Sequence, residues 1–200
     1  MKDIPLFPLQ LVLFPGGRLP LRIYETRYLD MIRDCMKAGS GFGVVMITEG
    51  SEALARPDEQ LPEVSHCGTY CLIVDFDQAD DGSLSIVIEG QRKFVIRDQY
   101  EQADRLMRAS VEFLADEDRV TIPEEREHLS GLLESLMEHE AVQRLGLSCD
   151  LAEASQVGAR LTELLPCSND FKQRLLEMKD PLIRLREIDK LVEQIQKASG

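Results

Sequence analysis

The chain has 200 residues, 44% apolar and 30% charged, the composition of an ordinary globular protein rather than a disordered chain or a coiled coil. Lys and Arg number 23 against 36 Asp and Glu, a formal charge of −13 spread over both halves. With no basic arm or stripe to neutralise phosphates, the balance argues against nucleic acid and against anionic membrane surfaces as partners.

No apolar run reaches the roughly 18 residues that a membrane span needs. The start mimics a signal peptide only briefly, because Asp3, Pro5, Pro8 and Gln10 interrupt it. Cys35, Cys67, Cys71, Cys149 and Cys167 form no dense framework, and their odd number fits reduced thiols. The reading is a cytoplasmic protein with no membrane partner.

Residues 4–13 are apolar with prolines at 5 and 8, which predicts an edge strand or a bulged one, since proline cannot donate to a ladder. Phe14-Pro15-Gly16-Gly17 reads as a turn, and 18–23 as a short strand. From Thr26 the period changes. Tyr28, Met31, Ile32, Cys35 and Met36 form the stripe of an amphipathic helix, with Gly39 as its stop. Residues 42–48 read as a buried strand and 49–62 as a loop. Over 64–76 the alternation places Val64, Gly68, Tyr70, Leu72, Val74 and Phe76 on one buried face, opposite Ser65, Thr69 and Asp75. Asp80-Asp81-Gly82 predicts a hairpin turn. Strands follow at 84–89, 92–97 and 106–114, with Gly90 as a kink or bulge. Short strands, hairpins and one early helix point to a small closed or nearly closed sheet over residues 1–118.

Residues 119–200 read as helical. Thr121 with Glu124 predicts a capping box before the stripe Leu129, Leu132, Leu133, Leu136 and Met137, ended by Gly146. Asp150 with Glu153 and Asp170 with Gln173 predict two further helix starts. Asp180-Pro181 opens a last helix whose apolar face is Leu182, Leu185, Ile188, Leu191, Val192 and Ile195. Four helices with short links predict an antiparallel bundle. The fold class is therefore α+β, a β-rich part followed by a helical part.

Chemical motifs are weak. His66, Cys67 and Cys71 share a strand, but C-x3-C without a second pair does not make a zinc site. His128 and His139 lie roughly 16 Å apart along a helix axis, too far to share one ion. Gly39-Ser40-Gly41-Phe42-Gly43 follows a helix and opens a strand, the reverse of a nucleotide-binding loop, and lacks the Lys-Ser or Lys-Thr of a phosphate loop. No nucleophile elbow or Ser–Lys motif occurs. These features predict no catalytic residue, no metal and no cofactor.

The series Ile4-Pro5-Leu6-Phe7-Pro8-Leu9, Leu13-Phe14-Pro15-Gly16, Leu19-Pro20-Leu21 and Tyr24-Glu25-Thr26-Arg27-Tyr28-Leu29 resembles the N-terminal, substrate-binding domain of ATP-dependent Lon proteases. The likeness continues at Phe42-Gly43-Val44-Val45, Cys67-Gly68-Thr69, Gly90-Gln91-Arg92-Lys93-Phe94 and Leu164-Leu165-Pro166, and again at Arg184-Leu185. Lys93 stands where the family usually has Arg. The resemblance implies a PUA-like β-barrel subdomain followed by a helical bundle, in a stand-alone chain without ATPase or peptidase modules. It also implies a non-catalytic polypeptide-recognition module, an adaptor or regulator of proteolysis, whose partner is an unfolded or extended polypeptide or a specific protein. A groove between the two parts would hold the segment, with Phe7, Leu13, Phe14 and Tyr24 as candidate lining. Pro15, Glu25, Arg27, Tyr28, Gly68, Gly82 and Gly90 are its structural motif residues, Glu25 and Arg27 ion-pairing at the helix start. Two alternatives remain open: RNA binding through a local patch of Arg92, Lys93 and Arg97, and a small ligand in the β-rich part.

Overall fold

A computed structural model describes residues 1–52, 60–78 and 83–199. The chain divides into two compact units, Met1–Ala115 and Asp116–Gly200. The first contains β1 (Lys2–Leu9), β2 (Arg18–Ile23), α1 (Thr26–Ala38), β3 (Phe42–Glu49), β4 (Glu63–Gln78), β5 (Leu84–Glu101) and β6 (Met107–Phe113). The second contains α2 (Glu127–Met137), α3 (Glu140–Gln143), α4 (Ala154–Leu164), α5 (Asn169–Glu177) and α6 (Pro181–Ser199), after a 3-10 turn at Glu124–Arg126. No helix among the described residues is long and apolar enough to cross a membrane.

The six strands form one sheet in the order β2-β5-β4-β3-β1-β6, and β5 also pairs with β6. The long β5 makes this possible. Its first residues, Leu84–Glu89, pair with β2, and Phe94–Glu101 pair with β6. The 84–89 and 92–97 segments are thus one strand, and Gly90 sits at an irregularity: Tyr70 opposes Arg92 while Cys71 opposes Gly90, leaving Gln91 as the extra residue.

β1 is not an edge strand, contrary to the proline argument. Lys2–Pro5 pair with β6, and Leu6–Leu9 pair in parallel with β3. The strand changes partner halfway, so the registered pairs of each half lie on one side, which accommodates the missing amides of Pro5 and Pro8. Both of its faces are buried. Ile4 and Leu6 join Val45, Phe94, Ala109 and Val111 in one cluster, while Phe7 and Leu9 join Tyr28, Ile32, Phe42, Ile86 and Ile88 in another.

α1 buries Tyr28, Met31, Ile32 and Cys35 as its stripe requires, but Met36 is exposed. Gly39 closes it in the left-handed region at φ 58°, where a Cβ would strain. On β4 the expected burial is reversed: Ser65, Cys67, Thr69 and Cys71 are buried, whereas Val74 and Phe76 are exposed. Burial on both sides hides the alternation at 67–71, and a register shift at Val74 carries the strand's end out of the core. The 80–82 hairpin turn, including Gly82, lies outside the described residues.

The helix starts also moved. Thr121 does not cap a helix. It bridges Glu153, with the Ile122 amide donating to Ala152 O at 3.0 Å and the Ala154 amide to Val120 O at 2.8 Å. Asp150 accepts from the Ala152 amide instead of capping α4, whose N-cap is Glu153. Ser168, two residues before Asp170, caps α5 by accepting from the Phe171 amide. Asp180 does cap α6, accepting from Leu182 and Ile183. Leu129 and Leu133 of α2, and Leu185, Ile188 and Val192 of α6, are buried as expected. Gly146, at φ 61°, closes the turn after α3 rather than α2.

Candidate functional site

Three of the four candidate lining residues are core. Phe7, Leu13 and Phe14 are 7%, 5% and 1% exposed, whereas Tyr24 is 65% exposed. Phe7 packs its ring 4.3 Å from that of Tyr28, on the buried face of α1. The turn that holds Phe14 and Pro15 is bound to the sheet by main-chain bonds: Gly16 N to Gly90 O at 2.7 Å, and Gly90 N to Gly17 O at 2.9 Å. A Cβ on Gly90 would lie 2.3 Å from Phe14 O, so this close approach requires glycine. Thr69 donates its hydroxyl to Leu13 O at 2.5 Å. Gly68 has the same function deeper in, where a Cβ would meet Val44 O and the Phe94 ring.

Glu25 and Arg27 form the ion pair that the helix start implied, at 2.9 Å. Arg27 is itself buried, and its Nη1 also donates to the carbonyl of Arg105 at 2.9 Å. Arg105 has a positive φ of 68°, so Arg27 clasps a strained loop against α1. Burial pushes the Tyr28 hydroxyl up to about 12, the largest influence on it, and the thiols of Cys35, Cys149 and Cys167 rise for the same reason. Such thiols stay protonated at neutral pH, the unreactive form. Among the described residues no cluster of three His, Cys, Asp or Glu could hold a metal ion. His139 caps α3 by accepting from the Ala141 amide, and His128 bonds Asp189 at 2.8 Å.

An open cavity of about 290 Å³ lies on the β2–β5–β4 part of the sheet, and Arg22, which stacks on Tyr24, is in its lining. Register defines its shape. Across the three strands, Pro20, Val87 and Asp75 form one row, and Arg22, Ser85 and Asp77 the next. Ser85 and Val87 therefore floor a trough whose walls are Pro20 and Arg22 on one side and Asp75 and Asp77 on the other. The walls stand two strand spacings apart, about 10 Å, the width of one extended chain. The Arg22 guanidinium stacks over the Tyr24 ring at 5.3 Å, while its Nε donates to Ser83 Oγ at 3.1 Å. Phe76, 57% exposed, also borders the cavity, but it pairs with Ile86 and lies on the other face of β4 from Asp75 and Asp77; Val74, two residues before it, is 45% exposed. The alternation argument had placed both on a buried face; the one local signal of exposure is the pair of aspartates flanking Phe76.

Two other places were candidates. The patch of Arg92, Lys93 and Arg97 does not present three free cations. Lys93 is buried, Arg97 holds Glu112 at 2.7 Å, and Arg92 stacks on Phe113 while donating to Leu114 O. A cavity of about 270 Å³ beside α1 includes Lys2, Asp3, Tyr70 and Arg108. Its polar groups largely satisfy one another: Arg108 pairs with Asp3, Tyr100 donates to Asp3 at 3.1 Å, and the Gly41 amide donates to Tyr70 Oη at 2.6 Å.

Residues 3–194 match the family model of the ATP-dependent protease La (LON) substrate-binding domain. The Lon protease of Cytophaga hutchinsonii is 25% identical over 96% of this chain, and that of Anaeromyxobacter dehalogenans 27% identical over 98%. The chain spans about a quarter of the length of either, at 25%. The crystal structure of a Lon N-terminal domain protein from Xanthomonas campestris superposes with a TM-score of 0.77 at 32% identity, covering 94% of this chain and 97% of that one. The N-terminal domain of the Mycobacterium avium complex Lon protease shares the fold, with a TM-score of 0.61 at 17% identity over 94% of this chain and 96% of that one. The chain belongs to the ATP-dependent protease La (LON) substrate-binding domain family.

Proposed function

We propose that this chain is a non-catalytic polypeptide-recognition module in the cytoplasm, acting as an adaptor or regulator of proteolysis. The family match over residues 3–194 carries the reading. In this proposal the cyclic strand pairing, β1-β3-β4-β5-β6 and back to β1, is a PUA-like barrel, and the second unit is a helical bundle. The domain division at 118/119 belongs to the same proposal.

An exposed aromatic side chain supports the site. Tyr24, beside a trough of one-chain width, suits an extended or unfolded segment. Tyr24 would anchor it; Phe7, Leu13 and Phe14, being buried, would support the sheet rather than touch the segment. RNA is the poorer partner, because Lys93 is buried and Arg97 is neutralised by Glu112.

Fluorescence anisotropy with a labelled, permanently unfolded polypeptide tests the reading. Saturable binding that survives high salt is expected, and Tyr24→Ala should weaken it by about five- to tenfold, the scale of an aromatic anchor. Absence of binding up to about 100 μM protein would overturn it, since even weak encounters register there. Degradation of casein by the pure chain, with or without ATP, would overturn its non-catalytic part.

A further inference from the structure

We infer that the trough on β2, β5 and β4 selects extended segments in which an apolar residue has Lys or Arg neighbours, and rejects acidic ones. This rests on the polypeptide-recognition reading and names the class of segment. The floor supplies the apolar half: Val87 lies at its centre, half-buried, with Pro20 exposed beside it. One wall supplies the charge. Asp75 and Asp77 stand two residues apart on β4, both exposed, and among the described residues neither is in an ion pair. The Asp75 carboxylate accepts from the Phe76 amide at 2.9 Å. Their side chains are about 7 Å apart on one face, the repeat of an extended chain, so basic side chains of a bound segment reach either one.

The opposite wall offsets only part of this: it carries one cation, Arg22, against two aspartates, and that guanidinium is held against Ser83 and the Tyr24 ring. Strand addition along β2 is a poor substitute for binding on the face, because Pro20 interrupts that edge and carries no amide donor. Selection must therefore come through side chains in the trough. The net charge of −13 adds long-range attraction for the same segments.

The test uses three unstructured peptides of equal length and apolar content, with basic, neutral or acidic neighbours around the apolar residue. Anisotropy at low salt should rank them basic, neutral, acidic, with a span of about tenfold from two exposed carboxylates. The span should collapse at about 1 M salt, where the screening length falls to about 3 Å. Asp75→Asn/Asp77→Asn should shrink the span and keep the neutral peptide's affinity. Glu134→Gln/Glu138→Gln, an equal charge change at exposed positions at the end of α2, should leave the span intact. Equal shrinkage in both variants, or equal binding of all three peptides, overturns the inference and leaves polypeptide recognition standing. If none of the three binds, both readings fall.

Discussion

The two units differ in what lies at the centre of their interiors. Residues 1–115 close around rings and aliphatic chains, brought near by glycines that let strands touch: a Cβ on Gly43 would lie 2.6 Å from the Phe94 ring. Residues 116–200 place a guanidinium at the centre. Arg184 is 1% exposed, donates to Leu175 O at 2.9 Å and to Met178 O at 2.8 Å, and forks onto the Glu117 carboxylate. Glu117 also accepts from Ser155 Oγ at 2.8 Å. One ion pair thus joins the segment before α2, the start of α4, the end of α5 and α6. A sheet unit can bury apolar residues on both faces of its strands, whereas short helices have open ends whose last carbonyls need donors. The arginine supplies them, and apolar packing alone would leave them bare.

Breaking that pair should give the largest effect. Glu117→Ala leaves a buried cation without its anion, at a cost of about 3–5 kcal/mol. Chemical denaturation with hydrogen exchange should locate the loss in α4–α6. Pairing it with Arg184→Met should restore part of the stability, as apolar replacement of a buried pair often does. A loss below about 1 kcal/mol for Glu117→Ala would mean that the pair is solvated like a surface bridge.

In the sheet unit the corresponding weak point is a glycine. A Cβ at Gly41 would lie 1.8 Å from the carbonyl oxygen of Cys71, which is backbone and cannot swing away. Gly41→Ala should cost about 3 kcal/mol, the upper range of overpacking. It should also disturb the bond from the Gly41 amide to Tyr70, visible as an altered tyrosine near-UV signal. An unchanged unfolding midpoint would show that the α1–β3 link shifts freely.

Between these lies a pH effect confined to the sheet unit. Burial raises Tyr28 from 10.0 to about 12, so the folded state holds the proton more tightly than the unfolded one. Its contribution is complete below the unfolded value and is lost as pH climbs to about 12, a change of about 2–3 kcal/mol. Denaturant midpoints between about pH 9 and pH 12 should fall more steeply in the natural protein than in Tyr28→Phe. Parallel curves would remove Tyr28 from the alkaline transition; the raised thiols are common to both proteins.

What could be read without coordinates follows the range of the interaction. The α1 stripe up to Cys35, the Gly39 stop and the helix start at Asp180-Pro181 are local, and they stand, while Met36 at the end of the stripe is exposed. Thr121 carried an equally good local signal and lost to a long-range one, its pairing with Glu153. β4 misled because alternation reports one buried face, while Thr69 and Gly68 are buried on opposite faces. The proposed site was half legible: Tyr24 stood out as a candidate lining residue, but the exposure of Val74 and Phe76 at the end of β4 did not, because the register shift at Val74 depends on the partner strand. The central place of Arg184 was hidden for the same reason: its anion lies 67 positions away.

The smallest effect sharpens the contrast from the helical side. Gly131 lies inside α2, exposed, and a Cβ there would meet nothing within 4 Å. In the sheet unit glycine makes room for a neighbour; here it has no neighbour to admit and only adds freedom to the unfolded chain. Gly131→Ala should therefore stabilise the protein by about 0.5–1 kcal/mol, with slower exchange of the α2 amides. A neutral or negative result would indicate that α2 gains from a flexible centre, and space alone would not separate the glycines of the two units.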